Sequence, residues 1–242
     1  IDFFSTPCGF KSARLLENLN VPFIKIASGE ITNHDLISFI AKMKIPMLVS
    51  TGMTTISEIA NIVSLIQNHN CDFALLHCVS SYPTLAKDSN ISTIPYLKTM
   101  FGVPIGFSDH TVGISVSLAA VALGATIIEK HFTLDKNMEG PDQKLSLDPT
   151  EFSELVKQTH IVEQSIGKPR SNIINVEKKY RDNMRKSLGA YQTIPKDSII
   201  KRSMITSFRP GTGIPPYMID SIIGRRTNKI IKKGTFFTWN DF

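Results

Sequence analysis

The chain has 242 residues, of which 42% are hydrophobic, and its formal net charge is +6 at pH 7. A chain of this size can bury a full core and can hold one large or two smaller domains. The longest weakly polar run, residues 112–128, is rich in Ala, Gly and Ser and has Asp109, His110 and Glu129 at its borders. We therefore predict a buried helix and strand there, and no membrane span.

The charge is divided unevenly along the chain. Residues 1–167 carry 11 Lys/Arg and 16 Asp/Glu, whereas residues 168–242 carry 16 and 5. The basic segment has no interleaved aromatic residues and no nucleic-acid motif, so we predict no nucleic-acid partner. A solvated basic surface is the simplest interpretation, and attraction of an anionic substrate or a partner subunit is the alternative.

The N-terminal run "IDFFSTPCGF" lacks a starting Met, a basic region and a cleavage site, which are the marks of a signal peptide. It starts inside a strand-like pattern, and we expect the chain to be a fragment of a longer one. The three cysteines, Cys8, Cys71 and Cys78, lack metal-finger spacing. They predict a reducing, cytoplasmic location.

Six β-branched or aromatic runs alternate with helix-period segments up to about residue 167. In chain order they are "FFSTP", "FIKIAS", "MLVSTG", "FALLHCVSSYP", "PIGFSDH" and "TIIEKHF". Thr55 and Glu58 predict a capping box, Asp148 to Glu151 predict a second helix start, and Gly167 predicts a helix end. This alternation predicts a parallel sheet with helices outside it.

Each of the six runs ends in polar residues, as in "STP", "SGE", "STG", "SSY", "SDH" and "EKH". In an open sheet only strands near the switch point should end this way, whereas in a barrel all strand ends face one mouth. We therefore predict an α/β fold, a (β/α)₈ TIM barrel over residues 1–167. Eight strands are needed, so we expect two to lie before residue 1.

The remaining chain is predicted to form a small second domain. Residues 168–186 are charged and weakly apolar and are interpreted as a linker. Residues 187–242 contain short strand and turn patterns, and "IPKDSIIKRSMI" faintly repeats in "IKKGTFFTWNDF". A domain this small is expected to dock on something.

Two histidines, His110 and His131, lie 21 residues apart at the ends of consecutive predicted strands. Imidazoles are common ligands of divalent transition metals, and neighbouring barrel strands would bring these two together at the mouth. We predict a metal site here. The alternative is a pair of structural histidines with satisfied hydrogen bonds.

Lys25 stands between Ile24 and Ile26, where a lysine is costly unless its ammonium group meets an anion. Strand alternation places it on the opposite face from both isoleucines. Hydroxyl groups at equivalent strand ends would join it in a cradle for phosphate or carboxylate, from Thr6, Ser28, Ser50, Ser80 and Ser108. Formation of a Schiff base at Lys25 is the alternative.

Three loop residues are further candidates. Tyr82 in "SSYP" and Asp142 in "GPDQ" either hydrogen-bond a polyhydroxyl ligand or stabilise turns. Arg209 in "RPGTG" is held by a Pro-Gly turn and would present its guanidinium group at a loop tip. His77 and Cys78 are interpreted as structural, because adjacent strand residues point to opposite faces.

The ordered motifs "FSTP", "KIASGE", "STGM", "LLHCVSSYP", "GFSDHT", "EKHFT" and "GPD" resemble those of the sialic acid synthases, including the legionaminate and pseudaminate enzymes. "RPGTGIPP", "IIGRR" and "IKKG" resemble the antifreeze-like (SAF) domain of that family. The resemblance covers essentially the whole chain. It implies condensation of phosphoenolpyruvate with an N-acetylmannosamine-type sugar, which yields a nine-carbon 2-keto acid and phosphate.

The resemblance also implies roles for individual residues. His110 and His131 would hold a divalent metal, usually Mn²⁺ with Mg²⁺ as an alternative. Phosphoenolpyruvate would be bound by Thr6, Lys25, Ser28, Ser50 and Ser108, joined by Ser80 in the hydroxyl cradle. The sugar would be contacted by Tyr82, Glu129, Asp142 and Arg209. Arg209 would act in the neighbouring subunit of a homodimer, because family dimers place the SAF domain over the partner's barrel.

Ser80 departs from the pattern, since the N-acetylneuraminate enzymes have an asparagine at this position. The form "HCVSSYP" also occurs among relatives that act on 6-deoxy-diacetamido sugars, so the sugar stays open. Family residues that would precede residue 1 are needed for activity, and the fragment alone is expected to be inactive. A Schiff-base pyruvate aldolase and a non-catalytic carbohydrate-binding protein remain as alternatives.

Overall fold

The computed structural model describes all residues, Ile1–Phe242, and divides into two compact units. The first unit is Ile1–Gly167 and the second is Lys168–Phe242. Residues 168–186, predicted as a linker, contain a ten-residue helix and group with the second unit. That helix has no buried residue, and its apolar residues Val176, Tyr180 and Met184, spaced four apart, are all exposed.

The first unit alternates strands and helices along the chain. The strands are β1 (Ile24–Ile26), β2 (Met47–Ser50), β3 (Phe73–Cys78), β4 (Ile105–Asp109) and β5 (Ile128–Lys130). The helices are α1 (Phe10–Asn18), α2 (His34–Lys42), α3 (Ile56–Asn68), α4 (Thr93–Phe101), α5 (Ser115–Ala122) and α6 (Pro149–Ile166).

The five strands pair in the order β1-β2-β3-β4-β5, and every pairing is parallel. They form a curled half-barrel with a helical layer outside it, so the predicted barrel-type α/β fold is confirmed. The run "FFSTP" is not a strand, which corrects the prediction of six. It contributes a single parallel bridge from Ser5 to Ile24. Pro7 follows closely and has no backbone N–H with which to extend the ladder.

The two faces of the sheet carry separate hydrophobic clusters, one under the helices and one inside the half-barrel. Residues such as Ile24, Val49 and Leu75 point outward and pack with the helices in the main hydrophobic cluster. Leu48, Ala74 and Leu76 point inward and form a small second cluster. Because side chains alternate along a strand, the inward positions above this small cluster face the mouth of the half-barrel.

Helix starts follow the predicted chemistry. Thr55 and Glu58 form a complete capping box at α3, and Asp148 and Glu151 form another at α6, with Pro149 in its first turn. Gly167 is the C-cap residue of α6. These local signals fix where each helix begins and hence the length of the strand-to-helix loops at the mouth.

The second unit contains α7 (Asn175–Met184) and the antiparallel pair β6 (Ser187–Ala190) and β7 (Ile205–Phe208). Its core is a separate hydrophobic cluster that includes Leu188, Ile200 and Phe237. The two faintly repeated segments meet where Ile194 and Ile231 form an antiparallel bridge. None of the helices in either unit combines the length and the apolarity needed to cross a membrane.

Candidate active site

A cleft of about 580 Å³ opens at the carboxyl ends of the five strands. Strand register creates it: Ser108 is paired with Cys78 on one side and with Glu129 on the other, which places three polar groups in one inward layer. Positions two residues further along carry Ser80, His110 and His131. The predicted residues that line the cleft are Lys25, Ser28, Ser50, Ser80, Tyr82, Ser108, Glu129, His110 and His131.

The two imidazoles lie next to each other, with ring centroids 5.3 Å apart. Nδ1 of His110 is 2.8 Å from the carbonyl oxygen of Val79, which can only accept, so Nδ1 carries the proton and donates. The Nε2 atom of His110 is left with its lone pair. An imidazole fixed in this tautomer is prepared to bind a cation.

The surroundings act differently on the two histidines. Burial and the neighbouring His110 lower the pKa of His131, although Asp142, whose Oδ2 is 3.7 Å from its Nδ1, opposes this. Burial also lowers the pKa of His110, but the hydrogen bonds with Cys78 and Val79 outweigh it, and the pKa is raised. Tyr82 covers both rings, with its centroid 4.2 Å from that of His110 and 5.8 Å from that of His131.

Lys25 supplies a buried cation to the same cleft. The residue is only 8% exposed, and its Nζ lies 3.3 Å from the carbonyl oxygen of Ile26 and 3.5 Å from Oε2 of Glu129. Oε2 of Glu129 is itself buried and accepts no hydrogen bond. The ammonium group therefore retains donors that are free for an anionic ligand.

The serines at the strand ends provide hydroxyl groups. Ser50 Oγ is buried and has no hydrogen-bond partner. Ser28 Oγ accepts the backbone N–H of Gly52 at 2.9 Å, so its own proton can be donated into the cleft. Burying a polar atom without a hydrogen-bond partner costs free energy. Such an atom is therefore a candidate to hydrogen-bond a ligand.

Gly52 allows these groups to approach one another. A Cβ atom at this position would lie 2.4 Å from Ser80 Oγ, 2.8 Å from Ser28 Oγ and 3.2 Å from Cys78 Sγ. The first two separations are shorter than any normal contact. The absence of a side chain at Gly52 therefore keeps this part of the cleft open.

Cys78, interpreted from the sequence as structural, lines the cleft. Burial raises the pKa of its thiol, but hydrogen bonding with His110, Ser28 and Ser108 outweighs this and the pKa is lowered. The signal that could have identified it is its position two residues before Ser80 on the same strand face.

His77 points away from the cleft, as a structural residue would. Its Nε2 is 2.8 Å from the carbonyl oxygen of Ser89, and its ring stacks on Phe107 with centroids 5.8 Å apart. Burial lowers its pKa, and the hydrogen bond to Ser89 only partly opposes this. The folded protein thus favours the neutral imidazole.

The pKa of His77 predicts a pH effect on stability. As pH falls below the unfolded-state pKa of about 6.5, the unfolded chain binds a proton that the native state still excludes, so the free energy of unfolding decreases. We expect the difference in unfolding free energy between wild type and His77→Phe to shrink between pH 7 and pH 5. Urea titrations at several pH values measure it. A difference that stays constant with pH would contradict the prediction.

Three predicted site residues do not line the cleft. Thr6 is half-buried beside the bridge at Ser5, and Asp142 reaches only His131, from the loop between β5 and α6. Arg209 belongs to the second unit, where it is exposed and its Nε donates to the carbonyl oxygen of Met184 at 3.0 Å. The predicted ligand contacts of these three residues stay predictions.

Lys130 also borders the cleft, but its ammonium group is already bound. Its Nζ is 2.9 Å from Oδ2 of Asp109 and also donates to the carbonyl oxygen of Thr111. Burial lowers the pKa of Lys130, while the hydrogen bond and charge of Asp109 oppose that shift. An ammonium group held by a carboxylate is a poor nucleophile for a Schiff base.

Models of two known protein families match the two parts of the chain. The model of the NeuB family matches residues 1–171, and that of the SAF domain matches residues 185–242. The chain belongs to the NeuB family. The resemblance seen in the sequence motifs, including the SAF domain, is therefore confirmed.

Relatives of this NeuB family chain are named as sugar-acid synthases. The N,N'-diacetyllegionaminic acid synthase of Campylobacter jejuni is 39% identical, over 96% of this chain and 71% of its own length. The pseudaminic acid synthase of Helicobacter pylori is 35% identical, over 100% of this chain and 71% of its own. A solved N-acetylneuraminic acid synthetase from Leptospira borgpetersenii, in complex with citrate, is 38% identical with a TM-score of 0.72, over 76% of this chain and 66% of its own.

This chain thus spans about two thirds to three quarters of the length of such relatives. The relatives differ in the sugar acid for which they are named. The family and the fold follow from the comparison, whereas the individual substrate does not.

Proposed function

We propose that the full-length protein condenses phosphoenolpyruvate with an N-acetylmannosamine-type sugar to form a nine-carbon 2-keto acid and phosphate. The observation that carries this proposal is the composition of the cleft. The cleft holds a buried lysine paired with a glutamate, a buried serine hydroxyl without a hydrogen-bond partner, and two adjacent imidazoles. The names of the family relatives support a sugar-acid synthase.

Phosphoenolpyruvate is proposed to bind on the Lys25 side. Its phosphate and carboxylate are anionic, and the Lys25 ammonium group with the hydroxyls of Ser28, Ser50 and Ser108 provides charge-assisted hydrogen bonds. Fixing both anionic groups orients carbon 3 of the enol toward the imidazoles. Positioning of this kind lowers the entropic cost of bringing the two reactants together in the transition state.

The histidines fit a divalent cation. Two neutral imidazoles are suitable donors, and the carbonyl oxygen of Val79 already fixes the tautomer of His110. The structure has no group of three or more His, Cys, Asp or Glu side chains arranged to hold a metal, so ligand or water oxygens would complete the coordination. A divalent cation held by His110 and His131, Mn²⁺ or Mg²⁺, would polarise the aldehyde oxygen of the open-chain sugar.

The proposed reaction balances without a covalent enzyme intermediate. The electron pair of the double bond between carbons 2 and 3 of phosphoenolpyruvate forms the bond from carbon 3 to the aldehyde carbon, whose oxygen takes a proton, and carbon 2 becomes electron-poor. The oxygen of a water molecule adds to carbon 2 and releases one proton, which leaves a hydroxyl group. The bond from carbon 2 to the bridging oxygen then breaks, phosphate leaves with the electron pair, and the hydroxyl group loses its proton to give the keto group. Oε2 of Glu129, which lies 3.5 Å from the Lys25 ammonium group and accepts no hydrogen bond, would accept one from a hydroxyl group of the sugar.

The decisive assay incubates full-length protein with phosphoenolpyruvate and a panel of acetamido sugars that includes N-acetylmannosamine and a 6-deoxy-diacetamido sugar. We expect phosphate release and a nine-carbon keto acid by mass spectrometry, with loss of both on chelation and recovery on adding Mn²⁺. Activity that survives chelation, with borohydride trapping of pyruvate on Lys25, would instead indicate a Schiff-base aldolase.

A homodimer in which Arg209 serves the partner's sugar site is part of the proposal. Its test mixes Arg209→Ala protein with His110→Ala protein. If Arg209 acts in the neighbouring subunit, the mixture regains activity that neither variant has, because each heterodimer holds one complete site. A mixture that stays inactive would contradict this arrangement.

Filling the space at Gly52 is expected to impair ligand binding while leaving the fold intact. In Gly52→Ala the new methyl group displaces the hydroxyls of Ser28 and Ser80, and we expect the KM for phosphoenolpyruvate to rise about tenfold, the loss of about one hydrogen bond. Steady-state kinetics measure it. Gly29→Ala is the matched control, because Gly29 also lines the cleft but a Cβ there meets nothing within 4 Å.

A further inference from the structure

Behind the two histidines lies a buried ion pair that the proposed chemistry does not use. Nζ of Lys130 is 2.9 Å from Oδ2 of Asp109, and the two side chains are 1% and 0% exposed. Asp109 immediately precedes His110 on β4, and Lys130 immediately precedes His131 on β5. The strand register pairs Asp109 directly with Lys130.

This placement follows from strand alternation. When His110 and His131 point into the cleft, the residues before them point to the other face of the sheet. On that face Ser117 of α5 donates its hydroxyl to Oδ2 of Asp109 at 2.5 Å. Oδ1 of Asp109 accepts the backbone N–H of Thr111 at 2.7 Å. The ion pair therefore ties together both strand ends, the helix behind them and the loop that follows His110.

Stability alone does not explain a pair of this kind. Removing two charges from water costs about as much as their attraction returns, and apolar residues of similar size serve a core equally well. The pair instead fixes the relative position of the two strand ends, because both oxygens of Asp109 form their hydrogen bonds in one geometry only. A shift of β4 against β5 would break these bonds.

We propose that Asp109 and Lys130 are positioning residues that fix the separation of the His110 and His131 imidazoles. The proposal rests on the metal site of the proposed function. A cation shared by two histidines from different strands requires that the strand ends keep a constant spacing, and the buried pair is the side-chain link between these ends. Partners behind metal ligands typically change metal affinity by about 10- to 100-fold when removed.

The test measures Mn²⁺ affinity by calorimetry and electron paramagnetic resonance in the full-length protein. The double variant Asp109→Asn/Lys130→Met removes both charges but keeps side-chain size and an acceptor for Thr111. We expect its Mn²⁺ dissociation constant to rise at least about tenfold, while phosphoenolpyruvate affinity and the thermal midpoint stay close to wild type. Lys136→Met is the matched control, because it removes a more exposed ion pair with Glu151 in the same unit.

A second variant guards against failure of the first to fold. Ser117→Ala removes one hydrogen bond to Asp109 and leaves the ion pair, and we expect a two- to threefold weaker Mn²⁺ affinity with unchanged stability. Unaltered Mn²⁺ affinity in either folded variant overturns the positioning role and leaves the proposed function intact. Absence of Mn²⁺ binding in wild type overturns the metal site and the positioning role together.

Discussion

Replacing His110 with alanine is expected to lower kcat/KM of the proposed condensation by about three orders of magnitude. The change removes one of two imidazoles, and metal polarisation of a carbonyl oxygen contributes several kcal/mol to a transition state. At about 1.4 kcal/mol per factor of ten, a loss of about 4 kcal/mol gives this effect. Phosphate release under saturating phosphoenolpyruvate measures it, and Mn²⁺ binding should be lost in parallel.

The control for this experiment is His160→Ala. His160 lies on α6 in the same unit, is exposed, and pairs only with Glu163. It should retain wild-type activity and Mn²⁺ affinity. If His110→Ala keeps more than a tenth of wild-type kcat/KM with an unchanged thermal midpoint, the imidazole pair is not the metal site.

Replacing Lys25 with methionine is expected to lower kcat/KM for phosphoenolpyruvate by about 100- to 1000-fold. This is the second large effect. Methionine preserves the packing of the stem and removes the ammonium group that faces the cleft beside Glu129. A hydrogen bond to a charged group contributes about 1.5–3 kcal/mol, so the loss of one to two of them to the anionic ligand gives an effect of this size. Competition with phosphate or equilibrium binding of phosphoenolpyruvate distinguishes lost affinity from lost turnover.

Lys98→Met is the matched control, because Lys98 is an exposed lysine near the end of α4. We expect it to leave affinity for phosphoenolpyruvate unchanged. If Lys25→Met binds phosphoenolpyruvate as tightly as wild type, the anion site lies elsewhere in the cleft.

Much of the first unit could be predicted because its signals are local. Alternation of β-branched runs with helix-period segments, together with the caps at Thr55 and Asp148, determines the order of the elements. The polar residues after each run then indicate the mouth of a barrel. Nine of the twelve predicted site residues line one cleft because parallel strands bring their carboxyl ends to the same edge.

The rest depends on contacts that no local pattern contains. Cys78 lies in an apolar strand pattern, and although its spacing from Ser80 places the two on one face, the register with Ser108 is what shows that this face lines the cleft. The partnership of Asp109 with Lys130 requires knowing that two strands 21 residues apart are neighbours in register. Helix α7 is mostly charged, and its three apolar residues at helical spacing, Val176, Tyr180 and Met184, are too weak a signal against that charge.

The lack of a side chain at Gly52 limits which substitutions the neighbouring positions of the cleft can accept. Ser28 and Ser80 follow different strands, yet a Cβ atom at Gly52 would lie within 2.8 Å of the Oγ atom of each. Enlarging any one of these three positions takes room from the other two, so they form a single steric unit. A library that introduces a larger residue at position 80 should therefore vary positions 28 and 52 as well.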